Sequence, residues 1–375
     1  MPTREIESTG EGSRLILWVT QTRAAQLHPC GCSARTLGGI VRERNYLDSR
    51  PATKVARLSV AMGKTFVPET PEEYGAAPTG WTEYADLVVE SMNRLDIDVF
   101  SPSPVDLGLG LDRIRELRRK ARFRFVSANL YGHDGAERLF EPYAALNVGG
   151  TRVIVTGVTY FKPELYPVPG PIRVFPAHAE LKKVLGTLKG DEFVIVLSDL
   201  PEDRRLDLMA SFPQVRVVLG GDGGQPNHRA VQYDGNTLYL GLLTKSRAVG
   251  RLDLEVGPPN LAFFNGEMAK WTASERAWRN QRIEKNKQKM KRLRDKYDLT
   301  RWNEEYSDFL RRTRDVPLSA GPGQLSFSSE VVELTDDYDL PTNGLAEVAD
   351  RAGKRIAELK LPLTAPSAND RGPLQ

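Results

Sequence analysis

The feature that most constrains this chain is its alternation of short apolar runs with longer amphipathic ones. Leu15–Val19 (LILWV), Phe193–Leu197 (FVIVL) and Val215–Gly220 (VRVVLG) are short and bounded by polar residues, the mark of strands buried in a layered core. Val55–Ala61, Asp98–Ser101 and Phe123–Asn129 read as further strands. Between them Tyr84–Leu95, Ile114–Arg122, Leu181–Leu188 and Leu206–Ser211 carry helical spacing. Tyr143–Val148 and Thr151–Val158 alternate around Gly149-Gly150, which predicts a hairpin. Leu238–Leu243 and Ala248–Val256 follow as late strands, expected to be antiparallel. Strands and helices in this order predict an α/β fold, a layered αββα sandwich with mixed sheets.

Composition limits what such a fold can do here. The 375 residues suffice for one large domain with an appendage, and 40% are hydrophobic, enough for a sizeable core. Basic and acidic residues nearly cancel, 52 against 49, so net charge gives no argument for nucleic acid or a membrane. No run approaches the roughly 20 apolar residues that a membrane span needs. Met1–Arg14 is polar and lacks a signal peptide's apolar stretch. The expected compartment is the cytoplasm, or the periplasm if a leader has been removed. Only four histidines occur, His28, His133, His178 and His228, few for a dinuclear metal enzyme.

The character of the chain changes near Ala269. From Arg276 to Lys296 ten residues are basic and two acidic, and Ile283, Met290 and Tyr297 recur every seven residues. This predicts a long helical arm with a basic face, either packed along the domain or docked on an acidic partner surface. Nucleic acid is the weaker alternative, because no base-reading motif accompanies the basic run. The expected organisation is a flexible N-terminus over 1–13, the α/β domain over 14–265, the basic arm over 266–315, and a strand and helix extension with a disordered tail over 316–375.

The ordered pieces resemble the metal-dependent 5′-nucleotidases of the calcineurin-like metallophosphoesterase superfamily. The frame is Leu15–Ala24 followed by Gly38-Gly39-Ile40-Val41-Arg42, then Val126–Leu130, Val153–Thr159, Phe193–Leu200, Val217–Asp222 and Gly250–Leu254. Together they cover about residues 14 to 260. The resemblance implies two divalent metals (Mn, Zn or Fe) that polarise a phosphoryl group and activate water. Where the family places its ligands, this chain has Gln21, Arg23, Lys64, Ser101, Asp199, Asp222 and Gly224. Two of these are cations, which repel a metal. The expectation is therefore a degenerate site without a metal cofactor, in which Arg23 and Lys64 face Asp199 and Asp222 as an ion-pair cluster. The alternatives are an aspartate-only metal site on Asp106, Asp199 and Asp222, and an active phosphoesterase.

One chemical signal survives in the loop after the first strand: His28-Pro29-Cys30-Gly31-Cys32, which holds both cysteines of the chain. Two thiols one residue apart close only a strained, readily exchanged disulfide. With His28 they could also hold a soft metal, and a structural remnant is the third reading. The element is similar to a Cys-Gly-Cys loop in nucleotidase-like proteins associated with multihaem cytochromes, so the resemblance implies such a cytochrome as a partner. No Cys-x-x-Cys-His occurs, which excludes covalent c-type haem on this chain.

Overall fold

In the computed structural model the described residues are 5–6, 12–32, 35–68, 78–132, 135–160, 172–220, 229–233, 236–293, 311, 319–340 and 343–359. Strands β1 (Glu5–Ile6), β2 (Arg14–Gln21), β3 (Cys30–Cys32) and β4 (Arg35–Leu37) precede helix α1 (Ile40–Asp48). Then come β5 (Ala56–Gly63), α2 (Pro78–Arg94), β6 (Val99–Pro102), α3 (Leu111–Lys120), β7 (Arg124–Phe125), β8 (Leu130–Gly132), β9 (Ala144–Val148) and β10 (Thr151–Thr159). The next stretch holds β11 (Ile172–Val174), α4 (Ala177–Leu185), β12 (Phe193–Asp199), α5 (Glu202–Ser211), β13 (Val215–Gly220), β14 (Val231–Tyr233), β15 (Thr237–Leu240) and β16 (Ala248–Glu255). Last are β17 (Ala262–Asn265), α6 (Gly266–Leu293), β18 (Gln324–Glu333) and α7 (Ala346–Leu359).

Two large mixed sheets dominate. One has the order β1-β9-β10-β12-β13-β15-β14, and the other contains β16-β2-β5-β6-β7 side by side. β10, β12, β13 and β15 run parallel, as do β2, β5, β6 and β7. Their carboxyl ends therefore gather functional loops, as in other open α/β sheets. The core follows from the apolar runs: Leu15, Leu17, Leu58 and Val60 in one sheet and Val153, Ile195 and Val217 in the other are fully buried.

Helices cover the outer faces. α1, α2, α3 and α7 bury Tyr46, Tyr84, Val88, Leu117 and Val348 with Trp18 and Phe100. α4 and α5 bury Leu181, Val184, Leu208 and Met209 against Ile154 and Val196. This is the αββα sandwich that the alternation predicts. The two sheets approach closely at Gly157 of β10, where a Cβ would overlap Ser101 Oγ of β6 and lie 2.9 Å from the Val126 carbonyl oxygen.

Two strand expectations need correction. β16 is antiparallel to β2 as expected, but β15 is parallel to β13, because β14 first turns back antiparallel to β15. The Phe123–Asn129 strand is confined to Arg124–Phe125. Beyond it the chain leaves its sheet, and the Ala128 N–H donates to the Gly157 carbonyl of the other sheet at 2.7 Å.

Residues 1–260 and 329–375 form one compact unit, and 261–328 a second. Within the second, β17 runs parallel to the start of β18, from Ala262 opposite Gln324 to Asn265 opposite Phe327, and α6 is a helix of 28 residues. Most of residues 294–318 and the tail from Pro366 lie outside the described residues. Among the described residues no helix is long and apolar enough to cross a membrane.

Candidate functional site at the strand ends

The loop after β2 is under backbone strain. Thr22, Ala24 and Ala25 all have positive φ (44°, 52° and 57°), and so do Lys245 and Ser246 (60° and 45°). Left-handed backbone costs a non-glycine residue about 1–2 kcal/mol, so the surroundings must hold it. They do so by extending the β2–β5 ladder: the N–H groups of Thr22, Ala24 and Ala25 donate to the carbonyls of Met62, Lys64 and Thr65 at 2.8, 2.9 and 2.9 Å. The Lys245 N–H donates to the Thr22 carbonyl. Strain of this kind concentrates at functional sites.

Arg23 sits inside this strained loop and is 2% exposed. Its Nη2 donates to both carboxylate oxygens of Glu43 on α1, at 3.2 and 3.0 Å, and Glu43 is itself buried. Arg23 Nη1 and the Tyr84 hydroxyl are buried without a hydrogen-bond partner among the described residues. Burial pushes the Tyr84 hydroxyl well above its ordinary range, and the Arg23 charge opposes this. The partner of Arg23 is therefore Glu43, which sequence reading missed. Glu43 follows the Gly38-Gly39 turn closely, a proximity that could have suggested it.

Among the described residues, several of the other family positions are engaged in the fold. Gln21 Oε1 accepts the Leu242 N–H at 3.0 Å. Asp106 is fully buried and accepts N–H bonds from Thr65, Phe66 and Ser103 at 2.7, 2.8 and 3.0 Å. Burial pushes its pKa up to about 6 against the pull of those donors. Ser101 lies under Gly157, and Asp199 accepts the Thr159 hydroxyl at 3.4 Å. Asn129, from the segment matched to the family, clamps the end of β10: its Nδ2 donates to the Thr159 and Phe175 carbonyls, and its Oδ1 accepts the Thr159 N–H. Lys64 is half-buried. Asp222 and Gly224 lie outside the described residues, as do His133 and His228.

Among the described residues, the donors at these strand ends do not fit the metal pair that the fold family implies. A glutamine engaged with backbone, a cation paired to a glutamate and a carboxylate satisfied by three N–H groups leave no set of free anionic ligands among the described residues. Nor do any three of His, Cys, Asp and Glu gather there as metal ligands, again among the described residues.

The Cys-Gly-Cys element is β3, paired with β4 so that Cys30 stands opposite Leu37. Cys30 is a half-buried free thiol, and its sulfur accepts the Arg247 Nε–H at 3.4 Å. The side chain of Cys32 lies outside what the structure describes. His28 turns to a different neighbour. Its ring lies by Ala349, Asp350 and Gly353 of α7, and burial holds its pKa below the ordinary histidine range.

No known family model matches this chain, and no curated protein does. Solved structures do. A 5′-nucleotidase precursor from Thermus thermophilus aligns with TM-score 0.59 and 18% identity over 94% of this chain and 61% of its own. The Thermus thermophilus sulfate thiohydrolase SoxB aligns with TM-score 0.61 and 14% identity over 95% of this chain and 62% of its own. The Bacillus subtilis calcineurin-like phosphoesterase YfkN aligns with TM-score 0.56 and 12% identity over 94% of this chain and 98% of its own. The chain thus spans less than two thirds of the length of the first two. At these identities the likeness defines the fold: this is the fold of the 5′-nucleotidases and calcineurin-like phosphoesterases.

Proposed function

We propose that this chain is a non-hydrolytic binding subunit built on the phosphoesterase fold, with no metal cofactor. The observation that carries the reading is the buried Arg23–Glu43 pair, with its cation at the position where the family's metal-binding histidine falls. The engagement of Gln21 and Asp106 with backbone N–H groups supports it further. Fold alone does not establish hydrolysis. The test is turnover of AMP and of bis(4-nitrophenyl) phosphate by the purified chain with Mn²⁺, Zn²⁺ or Fe²⁺. Background rates are expected. Metal-dependent turnover abolished by Asp199→Ala would overturn the reading.

A thiol role for the Cys30 loop is the second reading, with a separate electron-transfer protein such as a multihaem cytochrome as partner. Its supporting observation is the half-exposed free thiol with a guanidinium N–H on its sulfur. Native-state titration with a disulfide reagent tests it. A rapidly exchanging thiol, lost in Cys30→Ser, supports the reading, and no exchange in the native protein contradicts it.

A further inference from the structure

A cavity of about 450 Å³ opens beside Asp199, at the carboxyl ends of β10 and β12 and between α4 and α5. None of the described substituted family positions lines it. Its walls are apolar: Tyr160, Val174, Phe175, Leu200 and Leu208, with Leu200 and Leu208 almost fully buried. Its polar side chains are Thr159, His178, Arg204 and Asp207. The Thr159 hydroxyl is already engaged with Asp199.

What marks this cavity is how its two nitrogen-bearing side chains are held. The Arg204 guanidinium lies 4.4 Å over the Tyr160 ring. The His178 ring lies 4.6 Å from that of Phe212. Both are oriented by aromatic rings, and neither makes an ion pair with a described residue, so their N–H groups remain available to a ligand. Asp207 is the one carboxylate in the described lining and fixes polarity: an anionic group is favoured at the Arg204 and His178 side and disfavoured beside Asp207. The volume lies in the range of small-molecule sites, which combine apolar walls with a few convergent polar groups.

We infer that this cavity is a binding site for a small organic anion with a flat apolar body, its carboxylate or phosphoryl group on Arg204 and His178 and its ring against Tyr160, Phe175 and Leu208. The site adjoins Asp199 through Thr159, and binding there does not require hydrolysis.

The test is titration of the full chain with phenylphosphonate, which a phosphatase cannot hydrolyse, followed by calorimetry and saturation-transfer NMR. Benzyl alcohol serves as the neutral control. Saturable binding of phenylphosphonate is expected, tighter than that of the alcohol. Arg204→Gln, at an exposed position, should weaken phenylphosphonate about tenfold, the worth of one charge-assisted hydrogen bond, and leave the alcohol unchanged. Ala177→Trp, in the lining, should block both while the circular dichroism melt stays that of the parent. Absence of binding, or binding indifferent to both substitutions, would overturn the inference.

Discussion

Removing the charge of Glu43 tests whether the strand-end cation is a structural element. In the folded protein Arg23 and Glu43 are both buried and joined by two contacts of 3.0 and 3.2 Å. Unit charges about 4 Å apart attract by roughly 4 kcal/mol at the effective dielectric of protein sites. In Glu43→Gln that attraction is lost and Arg23 stays buried, with Nη1 already unsatisfied. Breaking a buried pair from one side costs about 3–5 kcal/mol. With a urea slope of about 3 kcal/mol per M, the midpoint falls by roughly 1–1.7 M. The double variant Arg23→Met/Glu43→Leu should recover most of this, because well-packed apolar residues often replace a buried pair at little cost. The assay is urea unfolding of the parent, each single variant and the double variant. A Glu43→Gln midpoint within experimental error of the parent would refute the reasoning, since Arg23 would then be reaching solvent or another partner.

Three further outcomes are expected. Gly157→Ala forces a methyl into Ser101 and should destabilise by about 1–3 kcal/mol, the cost of overpacking, read by urea unfolding; an unchanged midpoint would show that the sheets can separate there. Asp98, which accepts the Ser59 N–H, has its pKa pushed up to about 6, chiefly by burial. Its folded form holds the proton more tightly than the unfolded chain, so its contribution to stability falls as pH rises from about 4 to about 6; Asp98→Asn should flatten that part of the pH profile. His28 has the opposite sign: its pKa is depressed by burial against α7, so its contribution is lost as pH falls below about 6.5. His28→Gln should remove that acid-side loss, and a profile unchanged below pH of about 6.5 would contradict it.

The strands buried in the middle of each sheet were legible because their sequences are. Leu15–Val19 and Phe193–Leu197 form the bulk of β2 and β12, and neither run has an exposed face to encode. Where chain direction depends on a connection, the residues were silent: Leu238–Leu240 reads as a strand in either orientation. Segments that stitch two sheets together were also hidden. Val126–Asn129 has strand composition, but only the Val126 N–H pairs within its own sheet, with Phe100, while the Ser127 and Ala128 N–H groups turn to the Glu141 and Gly157 carbonyls.

At the candidate site the substituted positions could be counted from sequence, but their partners could not. Arg23 meets Glu43 only because the β2 loop folds onto α1. His28 meets α7, at the far end of the chain, instead of standing with Cys30. The cavity beside Asp199 draws on β10, β11, α4 and α5, and no spacing along the chain connects His178 to Arg204.

The most direct test of the central claim is the metal content of the purified chain, measured by elemental mass spectrometry after incubation with Mn²⁺, Zn²⁺ and Fe²⁺ and removal of excess. The account predicts no stoichiometric metal at the strand ends, and no change on Asp199→Ala. About two tightly held metals per chain, as two-metal phosphatases require, lost in Asp199→Ala, would contradict it.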